Sequence, residues 1–234
     1  MSKSSFPNNL YQRAKRPLQR KAAFNLLKKY HGQSRSIEDR VNWAMNFGSK
    51  GPYKIRTLQV PYEINALAEA VDKLKPRIIL EIGTARAGTL LLWSSLASEK
   101  VISCDIADMT VQDELYRSLP PPDSDCEVVL LSGDSHTEEF KQRVVRELAG
   151  EQVDFLFIDG DHRLEGVTTD YNNYRELVRP GGIIAFHDIL EKQPLPENQV
   201  YHLWKVLSKE LDTEEFVQDY DQRGYGIGVV HVPS

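Results

Sequence analysis

Between residues 77 and 89 the chain reads RIILEIGTARAGT. Three apolar β-formers, Ile78-Ile79-Leu80, run into an acid, Glu81, and then into a turn bounded by Gly83 and Gly88. Apolar residues with helix character follow, from Leu90 to Leu96. A strand that hands a flexible turn to a helix start points backbone N–H groups at a site where a nucleotide-like ligand can sit. A chain organised around such a unit needs a parallel sheet covered by helices on both faces.

The downstream pattern agrees. Strands are expected at 77–82, 100–105, 126–131, 153–158 and 182–187, and helices at 88–97, 111–118, 137–149, 165–178 and 199–211. Short apolar strands separated by helices define a doubly wound α/β fold, Rossmann-like in its layout. Two further strand-like segments, 215–220 and 225–232, meet at Arg223-Gly224 and would close the sheet with an antiparallel hairpin. Upstream, Pro61 opens a helix that runs to Leu74 and is ended by Pro76.

The first 59 residues read as a basic N-terminal arm and residues 60–234 as the main domain. Residues 1–56 hold 13 Lys/Arg against 2 Asp/Glu, a net of +11, whereas 57–234 hold 16 against 32, a net of −16. Residues 1–16 are polar and expected to be poorly ordered. A basic helix is expected over 17–30, with Leu18, Ala22, Leu26 and Tyr30 on one face, and 31–60 reads as loop-rich. Such an arm suits a membrane surface, a nucleic acid or an acidic protein face. Docking on its own protein is favoured, which also allows a homo-oligomer, and nucleic acid is not expected. No apolar run reaches the roughly 18–20 residues of a membrane span, and no secretory leader is evident, so a cytoplasmic protein is expected. Cys104 and Cys126 have neither CxxC spacing nor a disulfide framework and read as packed thiols.

In open parallel sheets a ligand lies beyond the carboxyl ends of the strands. The first strand end offers Glu81, Gly83, Thr84, Ala85, Gly88 and Thr89. The second offers Asp105 and Ile106, the third Asp134 and Ser135, the fourth Asp159, Asp161 and His162, and the fifth His187 and Asp188. An acid ahead of the turn disfavours a pyrophosphate and suits a cationic ligand with free amines and hydroxyls, a description that fits S-adenosylmethionine. Asp105, about 20 residues past the turn, suits two ribose hydroxyls, and Asp134 suits an adenine amino group. Each acid could instead cap a helix or a turn. The turn matches the GxGxxG frame only with Ala85 in its middle, so a dinucleotide-dependent oxidoreductase stands as an alternative.

The segments LEIGTARAGT, VISCDI, VDFLFIDGDH and VRPGGIIAFHDI together resemble the class I methyltransferases dependent on S-adenosylmethionine. More narrowly, the chain resembles the group with macrocin-type and rhamnosyl O-methyltransferases and cephalosporin hydroxylase-like proteins. The resemblance covers about residues 60–232. It implies a seven-stranded sheet with the last strand antiparallel, and cofactor contacts at Glu81, Gly83, Asp105 and Asp134. It also implies a divalent metal, usually magnesium, at the ends of strands four and five.

Asp159 and Asp188 can converge there, because neighbouring strands lie about 4.8 Å apart. His187 is a candidate third ligand, one that tilts the choice towards a transition metal. Strand alternation sends His187 and Asp188 to opposite faces unless the strand has already ended. His162 is the candidate base for a hydroxyl nucleophile, with Asp161 as runner-up. The expectation is metal-assisted O-methylation of a small hydroxylated acceptor, a sugar or a glycosylated metabolite. A metal-independent N-methyltransferase is one rival, and a non-catalytic cofactor-binding module recruited through the basic arm is another.

Overall fold

A computed structural model describes residues 6–33 and 35–234, with side chains described from residue 15 onward. Two helices, α1 (Phe6–His31) and α2 (Ile37–Asn46), precede α3 (Pro61–Leu74). Then follow β1 (Ile78–Ile82), α4 (Gly88–Trp93), β2 (Lys100–Asp105), α5 (Asp113–Arg117), β3 (Glu127–Ser132), α6 (Glu138–Leu148) and β4 (Val153–Ile158). The chain ends with α7 (Leu164–Tyr174), β5 (Val178–His187), α8 (Val200–Glu210), β6 (Thr213–Phe216) and β7 (Ile227–His231). The seven strands form one sheet in the order β3-β2-β1-β4-β5-β7-β6. Strands one to five pair in parallel, and β7 runs antiparallel to both β5 and β6.

Period-two alternation divides the sheet residues between two cores. Ile79, Phe155, Phe157, Ile183 and Ala185 pack with α1 to α4 on one face. Ile78, Leu80, Leu156, Ile184 and Phe186 pack with α6, α7 and α8 on the other. Trp93 is the fully buried centre of the first core and meets Phe155 and Phe157 edge-on, at centroid distances of 5.0 and 5.5 Å. The order reverses between β1 and β4, so a crevice opens beyond their carboxyl ends.

Several sequence expectations change at the N-terminus. Of residues 1–16, expected to be poorly ordered, 6–16 belong to α1, and 1–5 lie outside the described residues. Pro17 sits inside the helix rather than at its start. The buried face of α1 carries Ala23, Leu27 and Tyr30, while Leu18 is 72% exposed, so the apolar face is rotated from the one expected. Inside the segment read as loop, α2 is set by a complete capping box: Ser36 Oγ accepts from Asp39 N, and the Asp39 carboxylate accepts from Ser36 N. The arm docks on the same chain, where Arg20 pairs with Glu114 and the His31 ring bonds to the Leu119 carbonyl.

Smaller shifts occur at the other end. β5 begins at Val178, with an irregular pairing where Pro180-Gly181-Gly182 intervene. The hairpin strands are shorter than expected, and ten residues join them instead of a tight Arg223-Gly224 turn. Glu63 of α3, fully buried, anchors that connection by accepting from Gln218 N, Gln222 Nε2 and Gly226 N.

Candidate active site

The turn after β1 is shaped by close backbone approaches. Gly83 donates to the Cys104 carbonyl (2.8 Å), and Asp159 N donates to the Ile82 carbonyl (2.8 Å). A Cβ on Gly83 would lie 2.1 Å from the Asp159 carbonyl oxygen, and one on Gly88 would lie 2.0 Å from Thr57 N. Both glycines therefore let chain pass chain. Ala85, in the place of the middle glycine, adopts φ of +44° and leaves the turn open as a glycine would.

Two cavities flank this turn. The smaller, about 420 Å³, is lined by Gly83, Ala85, Asp105, Ile106, Asp134 and Ser135. The larger, about 780 Å³, includes Thr84, Gly88, Thr89, His162, His187 and Asp188. They meet at Gly83, Ala85 and Asp159. Asp105 accepts from Ala85 N (2.7 Å) and Ala107 N (2.8 Å), which fixes its carboxylate at the rim. Ile106 is 80% exposed beside it. Asp134 accepts from His136 N and closes a turn, while the cap of α6 is Thr137. Ser135 donates instead to Asp170, a fully buried acid on α7 that burial pushes up to about 6.

Glu81 departs from its expected place. It is fully buried beneath the turn and lines neither cavity. Ser103 Oγ donates to Glu81 Oε2 (2.5 Å), and Thr84 bonds to Ser103 in turn (2.6 Å). Burial pushes Glu81 up to about 7. Its side chain supports the turn from below through Ser103 and Thr84.

At the ends of β4 and β5 four side chains converge. Asp159 Oδ1 accepts from His162 Nε2 (3.1 Å) and from His187 Nδ1 (2.9 Å). His162 Nδ1 lies 3.0 Å from Asp188 Oδ2. The strand ends at His187, and Asp188 turns into the left-handed region at φ of +65°, so the two neighbours face one site. Burial alone would raise Asp159, but the His187 charge and the hydrogen bonds from both histidines hold it far below the usual carboxylate range. Burial opposes the His162 imidazolium as well, but its bonds to Asp159 and Asp188 and their charges push it up to about 10.

Asp159, His162 and His187 each offer a ligand atom, and these atoms lie within 4.8 Å of one another. That donor set can hold a divalent cation. Asp188 stands outside this trio, held by Tyr225 N (2.9 Å) and Asn198 Nδ2 (2.6 Å). His187 Nε2 is buried without a hydrogen-bond partner among the described residues. Asp161 is bound by Arg163 through its guanidinium and backbone N–H, which lowers its pKa and makes it a weak base.

Sequence reasoning missed Gln59, whose Nε2 donates to Asp159 Oδ2 (2.9 Å), and Asn198, which holds Asp188. Both come from segments with no strand-end signal: the stretch before α3 and the loop before α8.

Residues 80–189 match the family model of a methyltransferase domain. Over that stretch the chain is similar to the methyltransferase domains. In fold, the chain is similar to the O-methyltransferase TomG of Streptomyces achromogenes, involved in tomaymycin synthesis and solved with S-adenosylmethionine. The TM-score is 0.59 at 13% identity, covering 86% of this chain and 92% of that one. It is also similar to MycE of the mycinamycin pathway, solved with magnesium, S-adenosylhomocysteine and mycinamycin VI. There the TM-score is 0.53 at 20% identity, covering 72% of this chain and 48% of MycE. An uncharacterised protein of Acanthamoeba polyphaga mimivirus is 42% identical over 45 residues, 19% of this chain and 20% of that relative's length. The region matched to the family runs from β1 to just past β5, and so includes every strand end that lines the two cavities.

Proposed function

We propose that the protein moves the methyl group of S-adenosylmethionine to a hydroxyl of a small acceptor, a sugar or a glycosylated metabolite, with the help of a divalent cation. Magnesium is the first candidate. The observation that carries this reading is the group Asp159, His162, His187 and Asp188 on the wall of the larger cavity, where the smaller one opens into it. The cofactor belongs in the smaller cavity. Asp105 takes the ribose hydroxyls, Ile106 and Ser135 flank the adenine, Asp134 accepts its amino group, and Gly83 and Ala85 lie along the methionine arm. The acceptor belongs in the larger cavity.

Asp159 and His187, with Asp188 beside them, would hold the cation. It would supply positive charge that lowers the pKa of an acceptor hydroxyl. His162 takes the hydroxyl proton at Nε2, while Asp188 at Nδ1 fixes the ring and stabilises the imidazolium. With both carboxylates bound to it, His162 already carries its proton at neutral pH. It becomes a base only when other positive charge satisfies Asp159. Gln59 and Asn198 hold the two carboxylates in place from outside.

A second reading rests on the trio of close donor atoms. There His162 is itself a ligand in a two-histidine, one-carboxylate set, which favours manganese, iron or zinc over magnesium. His162→Ala separates the two. As a base, its loss lowers kcat by about 10²–10⁴-fold and leaves metal affinity intact. As a ligand, its loss removes metal binding too. Retained turnover in both Asp159→Ala and Asp188→Ala, assayed by S-adenosylhomocysteine release over a panel of hydroxylated acceptors, would rule out the metal role.

A further inference from the structure

The larger cavity holds a set of cations that the reaction does not use. Lys54, Arg56 and Arg86 line it, and none of the three charged groups makes a hydrogen bond or an ion pair to the described residues. Other cations do find carboxylates: Arg163 on the same wall pairs with Asp161, and Arg77, Arg117 and Arg179 pair away from the cavity. The shortage of partners is local, because residues 57–234 carry 32 acids in all. Of the four carboxylates lining this cavity, Asp159, Asp161 and Asp188 are already engaged by His162, His187 and Arg163, leaving Glu197.

The main chains of two of these residues meet. Arg56 N donates to the Arg86 carbonyl (3.1 Å), and Arg56 bridges Ala87 in parallel. This is the same approach that requires Gly88. Like charges that line one cavity repel, and a shared anion between them relieves the repulsion. The cofactor's own carboxylate supplies one negative charge, and Arg86, inside the cofactor turn, is placed to meet it. Lys54 and Arg56 come from the segment before α3 and remain for something else. Leu58 (65% exposed) and Leu195 (64% exposed) line the same cavity and give it an apolar rim.

We propose that the methyl acceptor carries an anionic group, a phosphate or a carboxylate, seated on Lys54 and Arg56 with Arg86 alongside. This rests on the reading of the larger cavity as the acceptor site. The acceptor class narrows to hydroxylated compounds that are negatively charged next to an apolar body.

Inorganic phosphate is the probe, titrated calorimetrically into the full chain with and without saturating S-adenosylhomocysteine. Binding to the native protein is expected, weakened at least about tenfold in the double variant Lys54→Ala/Arg56→Ala, with S-adenosylhomocysteine affinity unchanged. Lys54→Gln, which leaves the Arg56–Ala87 bridge intact, should weaken phosphate in the same direction and guards against misfolding of the double variant. Acetate run in parallel identifies the group, since the tighter anion names it. No phosphate binding, or equal binding in native and variant proteins, overturns the proposal. Phosphate binding without any binding of S-adenosylhomocysteine would instead sink the methyltransferase reading and leave the anion site standing.

Discussion

Glu81 shows how a buried acid can shape the site from beneath it. Its pKa is pushed up to about 7 by burial, from an ordinary 4.5. The folded protein therefore holds this proton more tightly than the unfolded chain. The stabilisation is fully present below about pH 4.5 and is lost as pH rises through 7. At 1.36 kcal/mol per pKa unit it amounts to roughly 3 kcal/mol. Glu81→Gln should flatten this part of the stability–pH curve, measured by urea unfolding between pH 5 and pH 9; an unchanged slope would remove the burial argument. Gly88→Ala should cost about 2 kcal/mol, since its Cβ would displace the backbone at Thr57. Wild-type stability in that variant would mean that the Arg56–Ala87 bridge is dispensable. The acids of the site were legible in the sequence because a residue at a strand end has a fixed position in a parallel sheet. Glu81 shows the limit of that rule. Sequence places it at the strand end, but whether it faces up into the cavity or down into the core depends on Ser103 of the neighbouring strand, which no local pattern reveals.

At the scale of elements, Glu63 links α3 to the connection between β6 and β7, and through it to the site. Gly226 N donates to Glu63, and the adjoining Tyr225 N donates to Asp188. Glu63→Ala removes the shared acceptor of three donors, of which Gly226 N is buried, and should destabilise the fold by about 1–3 kcal/mol. A thermal melt tests this, and an unshifted midpoint would show that water replaces the carboxylate. Ser36→Ala, which removes the cap of α2, should cost about 1 kcal/mol. The five parallel strands were legible because each is a short apolar run. The helix at Ile37–Asn46 was legible in principle from Ser36 and Asp39, but Gly48, Gly51 and Pro52 close behind it gave the segment the look of a loop. The rotated face of α1 had a weaker signal, since apolar residues lie on more than one side of it and only packing selects Ala23, Leu27 and Tyr30.

Across the whole molecule, charge asymmetry and function meet at one place. The basic arm lies on the acidic domain, with Arg20 on Glu114, and the segment that follows delivers Lys54, Arg56 and Gln59 to the larger cavity. The N-terminal region thus builds one wall of the proposed acceptor site, and the sheet builds the other. The central claim is that the crevice between β1 and β4 binds S-adenosylmethionine. Its most direct test is calorimetric titration of S-adenosylhomocysteine into the purified protein, once with magnesium and once with excess chelator. Binding is expected in both conditions, with Kd of about 1–100 µM, because the smaller cavity needs no metal to form. No binding in either condition would contradict it.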